Sequence, residues 1–134
     1  MTPREMIRKE ILSDAIRHGA VKFDGEITAD NIEELYDELL VKEDLHWDYE
    51  DLFRCSGEET GIACERSRHY ENKSVATKLS DGTWVGWTYW YGGGKHGEPD
   101  AFDWMGDAYF LDVKEEEKTV IVRTFKKKGV KGCL

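Results

Sequence analysis

No stretch of this 134-residue chain approaches the roughly 20 consecutive apolar residues that a membrane-spanning helix needs. Met1–Glu10 also lacks the apolar centre of a secretory signal. The two absences predict a protein with no membrane span and a cytoplasmic location. Cysteine is scarce: Cys55, Cys64 and Cys133 form an odd set with no dense framework, which points to reduced thiols, with a Cys55–Cys64 bridge left open. The spacing Cys55-x8-Cys64-x4-His69 matches no standard zinc pattern. No serine, cysteine or threonine stands in the local context of a nucleophile, so nothing marks a catalytic triad. The sequence therefore predicts no metal and no organic cofactor, and it contains no internal repeat and no low-complexity linker.

Basic residues are nearly missing from one region. Between Asp24 and Asp51 there are twelve acids and a single base, Lys42, a net of −11. From Lys118 onward the balance reverses: Lys118, Arg123, Lys126, Lys127, Lys128 and Lys131 face no acid. The whole chain carries a formal −9. That sign opposes direct binding to nucleic acid, which needs phosphates neutralised by Lys and Arg. A folded chain that concentrates like charge in this way accepts self-repulsion, and a partner of opposite sign is one reason to do so.

What is present is a core. The length is that of one domain, expected over 1–134, and such a domain buries roughly two-thirds of its unfolded surface. Five tryptophans in a chain that is 12% aromatic supply burial that disordered chains lack.

Residues 1–54 read as mainly helical. Thr2, Pro3 and Glu5 make a capping box with proline at the first helical position, and Ile7, Ile11, Leu12, Ala15 and Ile16 follow as an apolar stripe closed by Gly19. A second helix is predicted from a Thr28 cap, with Ile32, Leu35, Tyr36, Leu39 and Leu40 facing a core. Its other face carries Asp30, Glu33, Glu34, Asp37 and Glu38. Asp44–Arg54 fits either period and reads best as a short helix, and Ser56–Thr60 reads as loop.

Residues 69–128 read as mainly β. Strands are expected at His69–Leu79, Thr83–Tyr91, Ala108–Val113 and Thr119–Phe125. Ser80-Asp81-Gly82 would turn the first hairpin and Lys114–Lys118 the second, with a single helical turn within Asp100–Gly106. The prediction is an α+β fold, N-terminal helices packed on a C-terminal antiparallel meander of about four strands.

Two features of the β half suggest a surface for ligands or partners. The strand through Trp84–Tyr91 places Val85, Trp87, Tyr89 and Tyr91 on one face, expected to be core. Trp84 and Trp90 lie on the other, with Gly86 leaving a notch between them. Trp84, Trp90 and Trp104 are thus candidate anchors, since rigid aromatics dominate binding hot spots. The loop Gly92-Gly93-Gly94-Lys95-His96-Gly97 contains Gly-x-Gly-x-x-Gly but precedes Glu98-Pro99, not the helix that pyrophosphate binding needs. Lys95 and His96 join the candidate binding residues; His96 with Glu98, Asp100 or Asp103 is the one acid–base grouping an enzyme could use.

The stretch Ser74–Phe102, SVATKLSDGTWVGWTYWYGGGKHGEPDAF, resembles uncharacterised small acidic proteins of bacteriophages and prophages. The resemblance implies an accessory or counter-defence protein acting on a host complex and transfers no functional residue. Three expectations follow. The first is a non-enzymatic protein whose acidic helix meets a basic surface of a host or cellular protein. The second is a module that holds a small ligand, sugar or peptide on the aromatic strand and glycine loop. The third is a small enzyme built on His96.

Overall fold

The computed structural model describes residues 1–64, 70–92 and 102–128. Helix α1 spans Pro3–Arg17, and its start is built as the sequence predicts. The Thr2 hydroxyl accepts the Glu5 backbone N–H at 3.2 Å, and the Thr2 N–H donates to Glu5 Oε1 at 2.7 Å. That bond holds the Glu5 carboxyl below its ordinary range. The helix ends in two overlapping backbone bonds, Ala20 N–H to the Ala15 carbonyl and Gly19 N–H to that of Ile16. Gly19 sits at φ 78°, where a side chain would be strained. Ile7, Ile11, Leu12 and Ala15 are fully buried.

The second helical segment starts later than expected. Thr28 does not cap it with its side chain. Instead Asn31 closes a turn, accepting the Thr28 N–H on Oδ1 at 2.8 Å and donating to the Glu26 carbonyl, and α2 runs over Ile32–Tyr36. A π-helical turn, Asp37–Val41, continues it, with the Lys42 N–H reaching back five residues to Asp37. The expected apolar stripe survives this widening: Ile32, Tyr36 and Leu40 are fully buried, and Leu35 and Leu39 pack against them. Helix α3, His46–Arg54, settles the ambiguous segment in favour of helix. Leu45, Tyr49 and Phe53, four residues apart, turn inward.

The sheet is an antiparallel meander ordered β1-β2-β3-β4: Glu58–Glu59, Glu71–Lys78, Trp84–Tyr91 and Tyr109–Leu111. The α+β expectation holds, but the four strands are not the four expected. β1 comes from a segment read as loop, and it lies along Val75 and Ala76 of β2. Thr119–Phe125 forms no strand and stays exposed. The β2–β3 hairpin is the predicted one, in register from Glu71 opposite Tyr91 to Lys78 opposite Trp84. Gly82 at φ 93° and the Asp81 carboxylate, accepting from the Thr83 N–H at 2.9 Å, shape its turn. Ser80 donates from its N–H and its hydroxyl to the Glu10 carboxylate, tying the turn to α1.

The core lies between the helices and the Val75–Val85–Trp87 face of the sheet. Trp87, wholly buried, meets Phe53 of α3 and Trp104, with ring centroids 5.1 and 5.7 Å away. Trp104 opens a turn over 104–107, which overlaps the end of the predicted one-turn helical segment. The Tyr36 hydroxyl joins α2 to α3 by donating to Glu50 Oε2 at 2.7 Å, while the Arg8 guanidinium of α1 lies 4.6 Å over its ring. Burial, then the bond to Glu50, push the Tyr36 hydroxyl well above the ordinary tyrosine range.

Two outcomes are expected from these contacts. Tyr36→Phe leaves the Glu50 carboxylate without its donor and lowers unfolding free energy by about 1–2 kcal/mol in urea titration. For Glu5 the folded carboxyl is the stronger acid, so its stabilisation is present above the ordinary carboxylate range and is lost as pH falls through it. Urea titrations across pH should therefore show Glu5→Gln less stable than the parent near neutrality, with the gap closing in acid.

Candidate functional site

The acids of the helical half stay on the outside. Asp30, Glu33, Glu34, Asp37 and Glu38 are all exposed, as the inward stripe of Ile32, Tyr36 and Leu40 requires. Their neutralisation is partial and local. Glu33 takes Arg8 at 2.6 Å and Arg4 at 3.8 Å, both from α1, and Lys42 comes within 3.7 Å of Asp37. Asp30, Glu34 and Glu38 have no ion pair among the described residues. Among the described residues no C-terminal cation pairs with this surface; the one ion pair beyond Asp112 joins Lys114 to Glu116.

Helix α3 extends the acidic surface and adds apolar groups that sequence reasoning missed. Trp47 is 60% exposed and Leu52 70% exposed, beside the exposed acids Asp48 and Asp51. The indole Nε1 of Trp47 donates to Asp44 Oδ1 at 3.0 Å, which fixes the ring outward. Between α3 and the C-terminal half of α1 lies a cleft of about 460 Å³. Ile11, Tyr49 and Phe53 give it apolar walls; Asp14, Asp48, His18 and Ser56 supply its polar atoms. The signal that could have found Trp47 is the α3 helical wheel. With Leu45, Tyr49 and Phe53 inward at i, i+4 and i+8, position 47 points away, whereas Leu52, seven residues after Leu45, falls beside the inward stripe, so its exposure is decided by packing and not by the wheel.

The aromatic strand gives a different answer from the one expected. Val85 and Trp87 are core, as predicted for that face. Tyr89 and Tyr91 are only half-buried; Tyr89 lies under the Arg54 guanidinium at 4.8 Å. Arg54 also donates to the Trp90 carbonyl at 3.0 Å and accepts the Trp87 indole N–H on its own carbonyl at 3.2 Å, so α3 is clamped to β3. On the opposite face the notch at Gly86 is filled: a Cβ there would lie 2.7 Å from the Tyr109 ring of β4. Trp90 stacks flat on Phe102 with centroids 4.4 Å apart. Trp84 is half-buried in a shallow groove of about 320 Å³ with Ile62, Leu111 and Val113. Trp104 is no exposed anchor. It is 5% exposed, packed on Phe53 and Trp87, because its turn folds back onto the sheet.

Lys95 and His96, with most of the glycine-rich loop, lie outside the described residues, as do His69 and Cys133. Cys55 and Cys64 are free thiols; Cys64 Sγ lies 2.9 Å from the Ser74 hydroxyl, inside the sheet margin. No helix among the described residues is long and apolar enough to cross a membrane.

The two tryptophans separate structure from surface. Trp104→Ala empties a packed aromatic site and should cost about 3–5 kcal/mol, whereas Trp47→Ala should stay within about 0.5 kcal/mol, both by urea titration. No family model matches this chain, nor does any curated protein or any solved structure.

Proposed function

We propose that this chain is a small non-enzymatic binding protein that docks its acidic helical surface onto a basic surface of another protein, such as a host nucleic-acid-binding groove. The carboxylates would stand where phosphates normally lie. One observation carries the reading: Asp30, Glu34 and Glu38 are exposed and have no ion pair among the described residues, although the same chain holds a lysine-rich C-terminal segment that could have covered them. Like charges at i,i+4, as in Glu34 and Glu38, each destabilise a helix by roughly 0.2–0.5 kcal/mol. Their retention on an open face favours recognition over folding as the reason for them.

The anchors of this surface are Trp47 and Leu52, with the adjoining α1–α3 cleft. An apolar wall with acids at its edge suits the aliphatic stem and charged head of lysine or arginine. Charge would set the rate and the choice of partner, and the desolvated Trp47 and Leu52 would set the lifetime of the complex.

The experiment is capture of basic proteins from a host lysate on immobilised chain at low and high salt. A captured partner should be released by salt, lost in Glu34→Lys/Glu38→Lys, and held about tenfold or more weakly in Trp47→Ala. Capture that ignores both salt and the charge reversal would refute the reading.

A further inference from the structure

The C-terminal arm carries the strongest β-forming sequence left unpaired among the described residues. Val120, Ile121, Val122 and Phe125 are 72–85% exposed, although Thr119–Phe125 is rich in β-branched residues, ends in an aromatic one and contains neither Pro nor Gly. Outside the strands, no backbone hydrogen bond among the described residues involves 112–128. The arm leaves directly from β4, which ends the sheet order and has no further strand paired to it among the described residues. Closure onto that edge in the same molecule would require a turn through Lys114-Glu115-Glu116-Glu117-Lys118. That segment has no Gly, Asn, Asp or Pro to form a tight turn, and it would crowd three carboxylates. A contiguous exposed apolar run of this kind is an interaction site.

We propose that the arm pairs with the same arm of a second copy, as an antiparallel two-stranded ribbon about a two-fold axis at Ile121. The reason for a second copy is charge complementarity written into the segment itself. Acids precede the apolar run at Glu115 and Glu116, and bases follow it at Lys126 and Lys127. Antiparallel self-pairing reverses one arm and brings each acidic end onto a basic end. An axis normal to the ribbon requires a central residue to face itself. With Ile121 in that place, Val120 faces Val122, Glu116 faces Lys126 and Glu115 faces Lys127, each pair on a common face and each occurring twice, while Glu117 faces Phe125 and the like charges Lys114 and Lys128 meet only at the ribbon ends. The next permitted register, about Val122, keeps two acid–base pairs, Glu116 with Lys128 and Glu117 with Lys127, but sets Lys118 against Lys126 and Ile121 against Arg123, which breaks the apolar centre of the ribbon. The ribbon uses neither the acidic helices nor the α1–α3 cleft, so it is independent of the function proposed above.

Because residues 115–128 are exposed and make no backbone hydrogen bond among the described residues, their variants should leave the body folded, and far-UV circular dichroism serves as the control. Sedimentation equilibrium should show the mass rising from 15.5 kDa towards twice that value as concentration increases. Glu115→Lys/Glu116→Lys turns four attractive pairs into repulsive ones and should weaken dimerisation by about tenfold or more. Lys126→Glu/Lys127→Glu should do the same. An equimolar mixture of the two variants should restore a dimer, now of unlike chains. Ile121→Lys should abolish association outright. Glu34→Lys/Glu38→Lys should leave it intact; loss of the dimer there would move the arm to the acidic helix and overturn the proposed ribbon. Failure of the mixture to associate would overturn it as well. So would a parent chain that remains monomeric at every concentration, whether inert or sedimenting with anionic vesicles.

Discussion

The fold depends on the burial of Trp87. Its ring is wholly inside, against Phe53 from the third helix and Trp104 from the turn before the last strand. Its indole N–H, which would otherwise be an unsatisfied buried donor, reaches the Arg54 carbonyl. The same Arg54 holds the Trp90 carbonyl and covers Tyr89. One end of one helix therefore fixes the sheet to the helical layer. The remaining hydrophobic contacts of α1 and α2 fill space around a joint that these aromatic residues define.

This joint explains why so much charge can sit on the helices. Ile32, Tyr36 and Leu40 give α2 a fully buried edge, so the acids opposite must face solvent whatever they repel. Arg8 moderates the repulsion where α1 and α2 meet, bonded to Glu33 and stacked over Tyr36. Farther along, Lys42 reaches Asp37, and Glu34 and Glu38 pair with no base among the described residues. The molecule is polar in the electrical sense, with an acidic helical body and a basic C-terminal arm that form no ion pair with each other among the described residues.

Much of the local structure was legible in the residues, and the failures have physical causes. The capping box at Thr2, the Gly19 terminus and the Asp81-Gly82 hairpin all rest on interactions within a few positions. The acidic face followed from the inward stripe opposite it. β1 was invisible because two glutamates carry no β signal; they pair only because β2 offers an edge. Thr119–Phe125 failed in the other direction. Its β pattern is strong, yet a strand needs a partner, and the charged turn before it does not deliver one. Trp104, expected as an anchor, is core, and Trp47, given no role from the sequence, is exposed, since composition ranks tryptophans alike and only packing tells them apart.

Local sequence decides the start and stop of α1, the apolar stripes, the hairpin turn and the separation of acidic from basic blocks. Each of these is decided by residues within about one or two turns of each other, where backbone geometry and periodicity leave few choices. Tertiary structure alone decided which tryptophans are buried, which carboxylates find a base, that the Gly86 notch is filled and that an apolar cleft opens between α1 and α3. Those outcomes rest on contacts such as Arg54 with Trp90 and Glu10 with Ser80, 36 and 70 positions apart. Pairings at that distance depend on how whole layers dock, and no local pattern encodes the docking.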